Sequence, residues 1–434
     1  MDQLTPTHRP GRPAGRLRGA AAAVITVALL SAAAACGSDD DDSSSSPSGG
    51  AGTDNDAEVL GTENAASGEP IKVGFVSDGR TATIDNTAHG QAADAMAEYL
   101  NDYEAGLAGR PIELVECEAQ GEPGKATDCA NQLVQAEVAV VVMPESQAAA
   151  SVHTVTKENK IPLFVYGVAD TSILADGETA FALVDVFAGL SDLPIGVAED
   201  EGIEQVTAVV IDVPAATAFF EVLAPDIFDE AGIDLELVTV PPTQADMTPQ
   251  MTEIASGDET VVHIIGNDSF CIAAMNGLES AAYDGPITIL NGCGNEATAT
   301  GVGDYMDGVV MAAPFALGDD SEPGIQLWNA IADTYGEDID DPDDGLTTFI
   351  TFMAMRLALE DLQGDVTTET IISTVQAMES TPIPGSAGLE FRCNGKAAPL
   401  LPAICTRGSL RVTLDADGQP MLPYELAGST PIED

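Results

Sequence analysis

Short β-branched runs alternate with segments of helical spacing along most of the chain. The run Ile71–Asp78 precedes a segment in which Ala88, Ala92, Met96 and Leu100 would share one helix face. Residues 138–143 form a nearly continuous apolar run, as expected for a strand buried on both faces of a sheet. Repeated strand–helix order predicts an α/β fold with a parallel, doubly wound sheet.

The same alternation restarts at residue 205 and continues to about residue 316. Helical segments follow at 322–336, 346–362 and 368–380, and the chain then predicts hairpins with a turn at Asp417–Gly418. Residues 71–434 are too many for one compact core, so two lobes in series are expected.

The N-terminal segment has the pattern of an export signal. Arg9, Arg12, Arg16 and Arg18 precede an uncharged, small and apolar stretch at 19–35, which is too short for a membrane-spanning helix. Small residues lead directly to Cys36, and this border resembles the lipobox of bacterial lipoproteins, although the position of Ala33 is usually leucine. We therefore expect residues 1–35 to be a lipoprotein signal peptide and Cys36 to carry a lipid; the alternative is a plain secretory signal.

Charge and composition limit the partners. The chain has 15 basic and 71 acidic residues, a formal net charge of −56, which excludes nucleic acid because phosphate binding needs clustered Lys and Arg. Residues 36–70 are rich in Asp, Ser and Gly and are expected to be a disordered tether.

Six further cysteines fall into three local pairs. In an exported protein an even number of cysteines indicates disulfides, and six cysteines can pair in fifteen ways. We expect the sequential one, which joins Cys117 to Cys129, Cys271 to Cys293 and Cys393 to Cys405.

Motifs for catalysis or metal binding are incomplete. A P-loop at 119–127 would need Gly at Ala119 and Ser or Thr at Ala126. The acidic segment 338–345 does not complete an EF-hand loop, because Pro342 stands where a carboxylate or amide is needed and Thr351 where a glutamate is needed. No G-x-S-x-G elbow occurs, so we expect no enzyme activity, no metal and no cofactor.

Several segments resemble one family. "IKVGFVSD", "AMAEYLNDYEAGLAGRPIELVECEA" and "VAVVVMPESQAAASVHTVTKENKIPLFVYGVAD" are similar to the first four strands of the branched-chain amino-acid-binding (Leu/Ile/Val-type) proteins of ABC transporters. This resemblance to type I periplasmic binding proteins implies two doubly wound lobes joined by three crossovers, near 185–189, 314–318 and 382–388. Lobe one would comprise 71–186 and 317–384, and lobe two would comprise 187–316 and 385–427.

Candidate ligand contacts lie at the carboxyl ends of the predicted strands, where open parallel sheets bind ligands. In lobe one they are Ser77, Asp78, Glu145, Ser146, Gln147, Tyr166, Asp170 and Thr171; in lobe two they are Asp212, Asn267, Asp268, Asn291 and Glu296. For Asp78, Ser146 and Asp268, helix capping is an equally good interpretation.

Some positions depart from the family's amino-acid site. Ser146 matches a serine that holds the ligand carboxylate, but Asp170 stands at the threonine position and Ala216 at a usual aromatic position. The acid that binds the ammonium group falls near Cys293, with Glu296 the nearest carboxylate. These departures leave the ligand open among amino acids, amides and related acids.

The resemblance implies a monomeric, lipid-anchored protein on the outer face of the cell membrane that delivers a small polar ligand to an ABC import permease. A ligand sensor of the same fold is the nearest alternative. A surface hydrolase or a purely structural lipoprotein are the others.

Overall fold

The computed structural model of the protein describes residues 58–81, 85–336, 339 and 342–434. Cys36 and the predicted signal peptide lie outside these residues. The described chain forms two large sheets and two short two-stranded ribbons, and helices cover both faces of each large sheet. No helix in these ranges is both long enough and apolar enough to cross a membrane.

The first sheet has five parallel strands in the order β4-β1-β5-β6-β7. They are β1 (Ile71–Ser77), β4 (Ile112–Glu118), β5 (Val140–Met143), β6 (Leu163–Val165) and β7 (Ala180–Ala182), and a small ribbon of β2 (Gly79–Arg80) and β3 (Asp85–Asn86) follows β1. The helices between them are α1 (Thr87–Tyr103), α2 (Pro123–Ala136), α3 (Ala149–Glu158) and α4 (Thr171–Leu174). All four residues of β5 are buried, as the apolar run predicted.

The second sheet has seven strands in the order β16-β15-β12-β11-β10-β8-β9. Its parallel strands are β8 (Gln205–Ile211), β9 (Asp234–Val240), β10 (Val261–Ile265), β11 (Ile287–Leu290) and β12 (Val310–Ala313). The helices are α5 (Ala188–Glu201), α6 (Pro214–Val222), α7 (Ala224–Ala231), α8 (Thr248–Ala255), α9 (Asp268–Ser280) and α10 (Glu296–Val302), with 3₁₀ turns at Asn291–Cys293 and Gly303–Met306.

After β12 the chain returns to lobe one. Helices α11 (Pro323–Tyr335), α12 (Leu346–Ala358) and α13 (Thr368–Ala377), with the 3₁₀ turn Pro342–Gly345, cover one face of the first sheet. The short strands β13 (Thr381–Pro382) and β14 (Glu390–Phe391) follow, and the antiparallel β15 (Ser409–Leu414) and β16 (Pro420–Ala427) complete the second sheet. The turn between the last two strands lies at Asp417–Gly418, as predicted, and Gly418 has a φ of 75°.

Two helical regions depart from simple sequence patterns. The spacing of residues 217–232 favours one continuous helix, but the chain divides at Leu223, two residues before Pro225, which cannot continue the hydrogen-bond ladder. Helix α5 was not predicted. It contains Pro194 and buries Leu193, Ile195 and Val197, so it lacks a clear polar stripe.

The third crossover lies later than predicted. Residues 390–406 belong to lobe one: Phe391 and Cys393 are in its core, and Cys405 N–H donates to the Ala182 carbonyl of the edge strand at 2.8 Å. The chain joins the sheet of lobe two only between Thr406 and Ser409. The family resemblance had placed the crossing near 382–388. Leu389 does pack in the core of lobe two, but Phe391 and Cys393 then return the chain to lobe one.

The predicted tether is also too long at its C-terminal end. Leu60 is buried in the core of lobe one. The N–H groups of Asn64 and Ala66 donate to the carbonyls of Asp102 and Asn101 at 2.9 and 2.7 Å. The segment from residue 58 to 70 is therefore part of lobe one rather than a free linker.

The sequential disulfides are confirmed. Cys117–Cys129 joins β4 to α2, and Cys271–Cys293 joins α9 to the turn after β11. Cys393–Cys405 lies in lobe one rather than in lobe two, because the third crossover comes after it.

A buried polar cluster fixes the loop after β6. Asp176 accepts hydrogen bonds from His153 Nε2 at 2.8 Å and Thr179 Oγ1 at 2.7 Å. Burial would raise the pKa of Asp176, but the hydrogen bonds from Thr179, His153 and two backbone N–H groups outweigh it and lower the pKa to about 2. Because this value lies below that of an unfolded aspartate, the cluster stabilises the fold above pH of about 4, and this contribution is lost as the pH falls towards 2.

We therefore expect Asp176→Asn to lower the free energy of unfolding by about 3 kcal/mol at neutral pH, because His153 and Thr179 lose an anionic acceptor in a buried site. Urea unfolding followed by circular dichroism measures this. Asp128→Asn, on the exposed face of α2, removes the same charge and should change stability by less than about 0.5 kcal/mol. Equal effects of the two variants would contradict a structural role for the cluster.

Candidate functional site

A cavity of about 230 Å³ lies between the two sheets. Both lobes and all three crossovers line it, and the residues are Glu145, Tyr166, Gly167, Val184, Asp185, Val186, Gly189, Leu290, Asn291, Ala312, Ala313, Pro314, Leu389, Gly408 and Ser409. Its volume is below the range usual for drug-sized ligands, so it suits a small solute.

Three of the predicted contacts line this cavity. Glu145 follows β5, Tyr166 follows β6, and Asn291 follows β11, so each lies at the carboxyl end of a parallel strand. Tyr166 is buried, and its hydroxyl donates to the Pro314 carbonyl at 2.9 Å. Glu145 and Asn291 are exposed to the cavity.

Asp78 joins three loops at the carboxyl edge of the first sheet. Its carboxylate accepts hydrogen bonds from Gly121 N–H at 3.1 Å, Ser146 Oγ at 2.7 Å and Gln147 N–H at 2.9 Å. Ser146 Oγ also accepts from Ala148 N–H at 3.1 Å. These residues and the buried Ser77 lie outside the lining of the cavity, and a ligand contact for them stays a prediction.

Asp170 caps the short helix α4. Its carboxylate accepts from Ser172 N–H at 2.9 Å, from the Ser172 hydroxyl and from Ile173 N–H. The hydrogen bond from the Ser172 side chain is the main cause that lowers the pKa of Asp170, and burial opposes it. Thr171 is the first residue of this helix and is exposed.

In lobe two, four predicted contacts lie apart from the cavity. Asn267 caps α9 and accepts from Phe270 N–H at 3.1 Å, while Asp268 accepts from Asn295 Nδ2 at 2.7 Å. Asp212 and Glu296 are exposed. Capping therefore accounts for the contacts that Asn267 makes.

The cavity is acidic. Glu145 is open to the cavity, but the surrounding protein excludes part of the solvent and raises the pKa of its carboxyl group. Burial also raises the pKa of Asp185, against hydrogen bonds from Phe187 and Ala188. Asp192 lies on α5 outside the cavity lining, and burial together with the charge of Asp185 raises its pKa to about 7.

Hydrogen bonds hold the crossovers in place. Asp185 N–H in the first donates to Thr406 Oγ1 in the third at 3.1 Å. Ala316 N–H in the second donates to the Gly385 carbonyl of lobe one at 2.8 Å. The first and third crossovers are thus joined directly, and the second is held against lobe one.

The sequence analysis missed Asp185 and Ser409 as candidate contacts. Both lie on crossovers rather than at strand ends. The segment around Asp185 had been predicted to cross between the lobes, and this prediction could have identified Asp185 as a cavity residue. No feature of the sequence pointed to Ser409, because the third crossover had been placed near 382–388.

The sequence matches the model of one protein family. The family is described as periplasmic binding protein, and the match spans residues 70–399. The chain belongs to the periplasmic binding protein family. Its fold is the type I fold, and it is a solute-binding protein rather than an enzyme. Family membership implies an extracytoplasmic location.

Solved structures share this fold at low identity. A candidate branched-chain amino acid ABC transporter from Rhodospirillum rubrum has a TM-score of 0.69 at 14% identity, over 82% of this chain and 99% of that chain. LivJ from Streptococcus pneumoniae, in complex with isoleucine, has a TM-score of 0.57 at 16% identity, over 83% and 99%. A fatty acid ABC transporter substrate-binding protein from Thermomonospora curvata has a TM-score of 0.56 at 16% identity, over 86% and 95%. None of the curated proteins matches the sequence.

We expect Asp78→Asn to destabilise this periplasmic binding protein by about 2 kcal/mol. An amide has one accepting oxygen and a donating nitrogen, so at least one of the three donors to Asp78 loses its partner. Thermal unfolding should show the loss, and hydrogen exchange should become faster at Gly121 and Gln147.

Asp170→Asn is the matched control, because Asn is as good a helix cap as Asp, and its stability should stay nearly unchanged. If ligand-free Asp78→Asn exchanged as slowly as wild type at both amides, Asp78 would not be the residue that joins these loops.

Proposed function

We propose that the protein captures a small polar solute, an amino acid or a related amide or acid, in the interlobe cavity and delivers it to an ABC import permease. The observation that supports this most directly is that both lobes and all three crossovers line a single small cavity. A solute there would touch both lobes at once, so its binding energy would depend on their relative position.

Hinge closure would follow from that dependence. A ligand shifts a conformational equilibrium only by its difference in affinity for the two states. Contacts from Glu145 in lobe one and Asn291 in lobe two are complete only when the lobes are close. The closed form would then be the form that the permease recognises, and no covalent bond changes.

Delivery to a permease is supported by the names of the structural neighbours, which include ABC transporter substrate-binding proteins. These neighbours differ in their stated ligands, isoleucine in one and fatty acid in another. The fold therefore leaves the ligand to the side chains of the cavity.

Blocking the cavity tests capture. Ligand-free protein is prepared by unfolding and refolding without reductant and is screened by thermal shift against amino acids, amides, urea and small acids. A ligand at 100 times its Kd should stabilise by about 2.7 kcal/mol. We expect Asn291→Trp to abolish the shift, because its exposed side chain can enter the cavity without disturbing the core.

Glu296→Trp is the control, since Glu296 is exposed and does not line the cavity. It should keep the shift of the wild type. If both variants lost the ligand-induced thermal shift, or if both kept it, the binding site would not be this cavity. Absence of any shift with well-folded protein would contradict solute capture.

We also propose that Cys36 carries the lipid anchor. Expressed in a bacterium that processes lipoproteins, the wild-type chain should remain in the membrane fraction. Cys36→Ala should block lipidation and the associated cleavage, so labelled fatty acid should be absent from the variant. Equal incorporation of label in both proteins would contradict the assignment.

A further inference from the structure

The cavity has the chemistry of a cation site. We propose that it selects a small aliphatic ligand with an ammonium group and no free carboxylate, and that Glu145 pairs with the ammonium group. This deepens the proposed function and rests on it. Three observations support it: the donors that would hold a carboxylate are already used, the cavity lining has no cation, and Glu145 has a free carboxylate.

The first observation concerns the N–H groups at the carboxyl edge of lobe one. A ligand carboxylate would need donors such as Ser146 Oγ and Gln147 N–H, next to the start of α3. Both donate instead to the carboxylate of Asp78, at 2.7 and 2.9 Å. Although these groups do not line the cavity, they are the donors at this edge of the sheet that could reach a ligand anion, and Asp78 already uses them.

Carboxylates of the chain also accept from N–H groups at the start of two further helices. At α4, Asp170 accepts from Ser172 N–H at 2.9 Å. At α5, whose Gly189 lines the cavity, Asp185 accepts from Phe187 N–H at 2.9 Å. A second anion at either place would meet a carboxylate rather than a free donor.

The second observation concerns the basic residues. Four of the 15 precede residue 19, which leaves eleven in the described ranges. Ten of these make a hydrogen bond or ion pair with an oxygen of a residue that does not line the cavity. None of the eleven is among the lining residues. With a net charge of −56, the chain also repels anions at long range.

The third observation concerns the polar groups that remain available. Within the described residues, Glu145 has no hydrogen bond or ion pair, and it faces the cavity. Ser409 Oγ is buried and has no partner there either. The Tyr166 hydroxyl already donates a hydrogen bond to the Pro314 carbonyl. The lining thus offers Glu145 as the carboxylate without a hydrogen bond, together with the Ser409 hydroxyl and the Asn291 amide, beside apolar walls that include Val184 and Leu290.

An aliphatic amine fits this lining. Its ammonium group would form a charge-assisted hydrogen bond with Glu145, and its alkyl group would contact the apolar walls. A neutral amide or hydroxyl on the ligand could reach Ser409. An amino acid would bring the same ammonium group together with a carboxylate, which no cation of the lining would neutralise and which would share the cavity with Glu145 and Asp185.

Leucinamide and leucine test this, because they differ only in an amide against a carboxylate. Isothermal titration of refolded, ligand-free protein should show leucinamide binding at least about tenfold tighter than leucine, and isovalerate not binding. Glu145→Gln should weaken leucinamide binding at least about tenfold, which corresponds to about 1.4 kcal/mol. Glu113→Gln, exposed on β4, removes the same charge away from the cavity and should leave the affinity unchanged.

The outcomes separate this inference from the proposed function. If leucine binds as tightly as leucinamide, or if only another class of solute binds, the inference is overturned and solute capture stands. If Glu145→Gln and Glu113→Gln weaken binding equally, the general charge of the chain rather than Glu145 selects the ligand, and the inference is again overturned. If folded protein binds no solute at all, the proposed function fails as well.

Discussion

The three chain crossovers, and the hydrogen bonds that hold them, connect the two sheets. Each sheet buries both faces under its own helices, so the sheets share little core, and the crossovers carry the connection. Asp185 N–H bonds to Thr406 Oγ1, and Ala316 N–H bonds to the Gly385 carbonyl. Because the same segments form the back wall of the cavity, a change in lobe orientation must change the shape of the binding space. A movement of the lobes about the crossovers therefore changes the contacts available to a ligand.

Internal carboxylates organise the loops at the cavity's edge. A parallel sheet collects helix N-termini at the carboxyl ends of its strands, and their N–H groups need acceptors. In lobe one Asp78 and Asp170 provide these acceptors, which rigidifies the loops without a bound ligand. These hydrogen bonds also have a chemical consequence. N–H groups that could bind a ligand anion already bind a carboxylate of the chain. If the proposed selection of an ammonium ligand holds, the chain keeps the family's fold while changing the charge of the solute that the fold accepts.

Most of the fold follows from local patterns, and the exceptions have local causes. The buried run around Val141 and the helical spacing of α1 are set by side chains within a few residues of each other. Helix α5 escaped prediction because Pro194 and apolar residues on several sides hide its period. The third crossover was misplaced because the return of residues 390–406 to lobe one depends on contacts with β7, which are distant in sequence.

The site was less predictable than the fold for the same reason. The rule that ligands bind at strand ends found Glu145, Tyr166 and Asn291, since strand ends are visible in sequence. It could not separate residues that face the cavity from residues that cap a neighbouring helix, because both use the same polar side chains. Only the positions of hydrogen-bond donors make that distinction: Ser146 matches a ligand-binding serine in type, yet its hydroxyl is committed to Asp78. If Glu145 selects the ligand as proposed, ligand chemistry in this chain depends on which donors are left free, more than on which residue types lie at the edge.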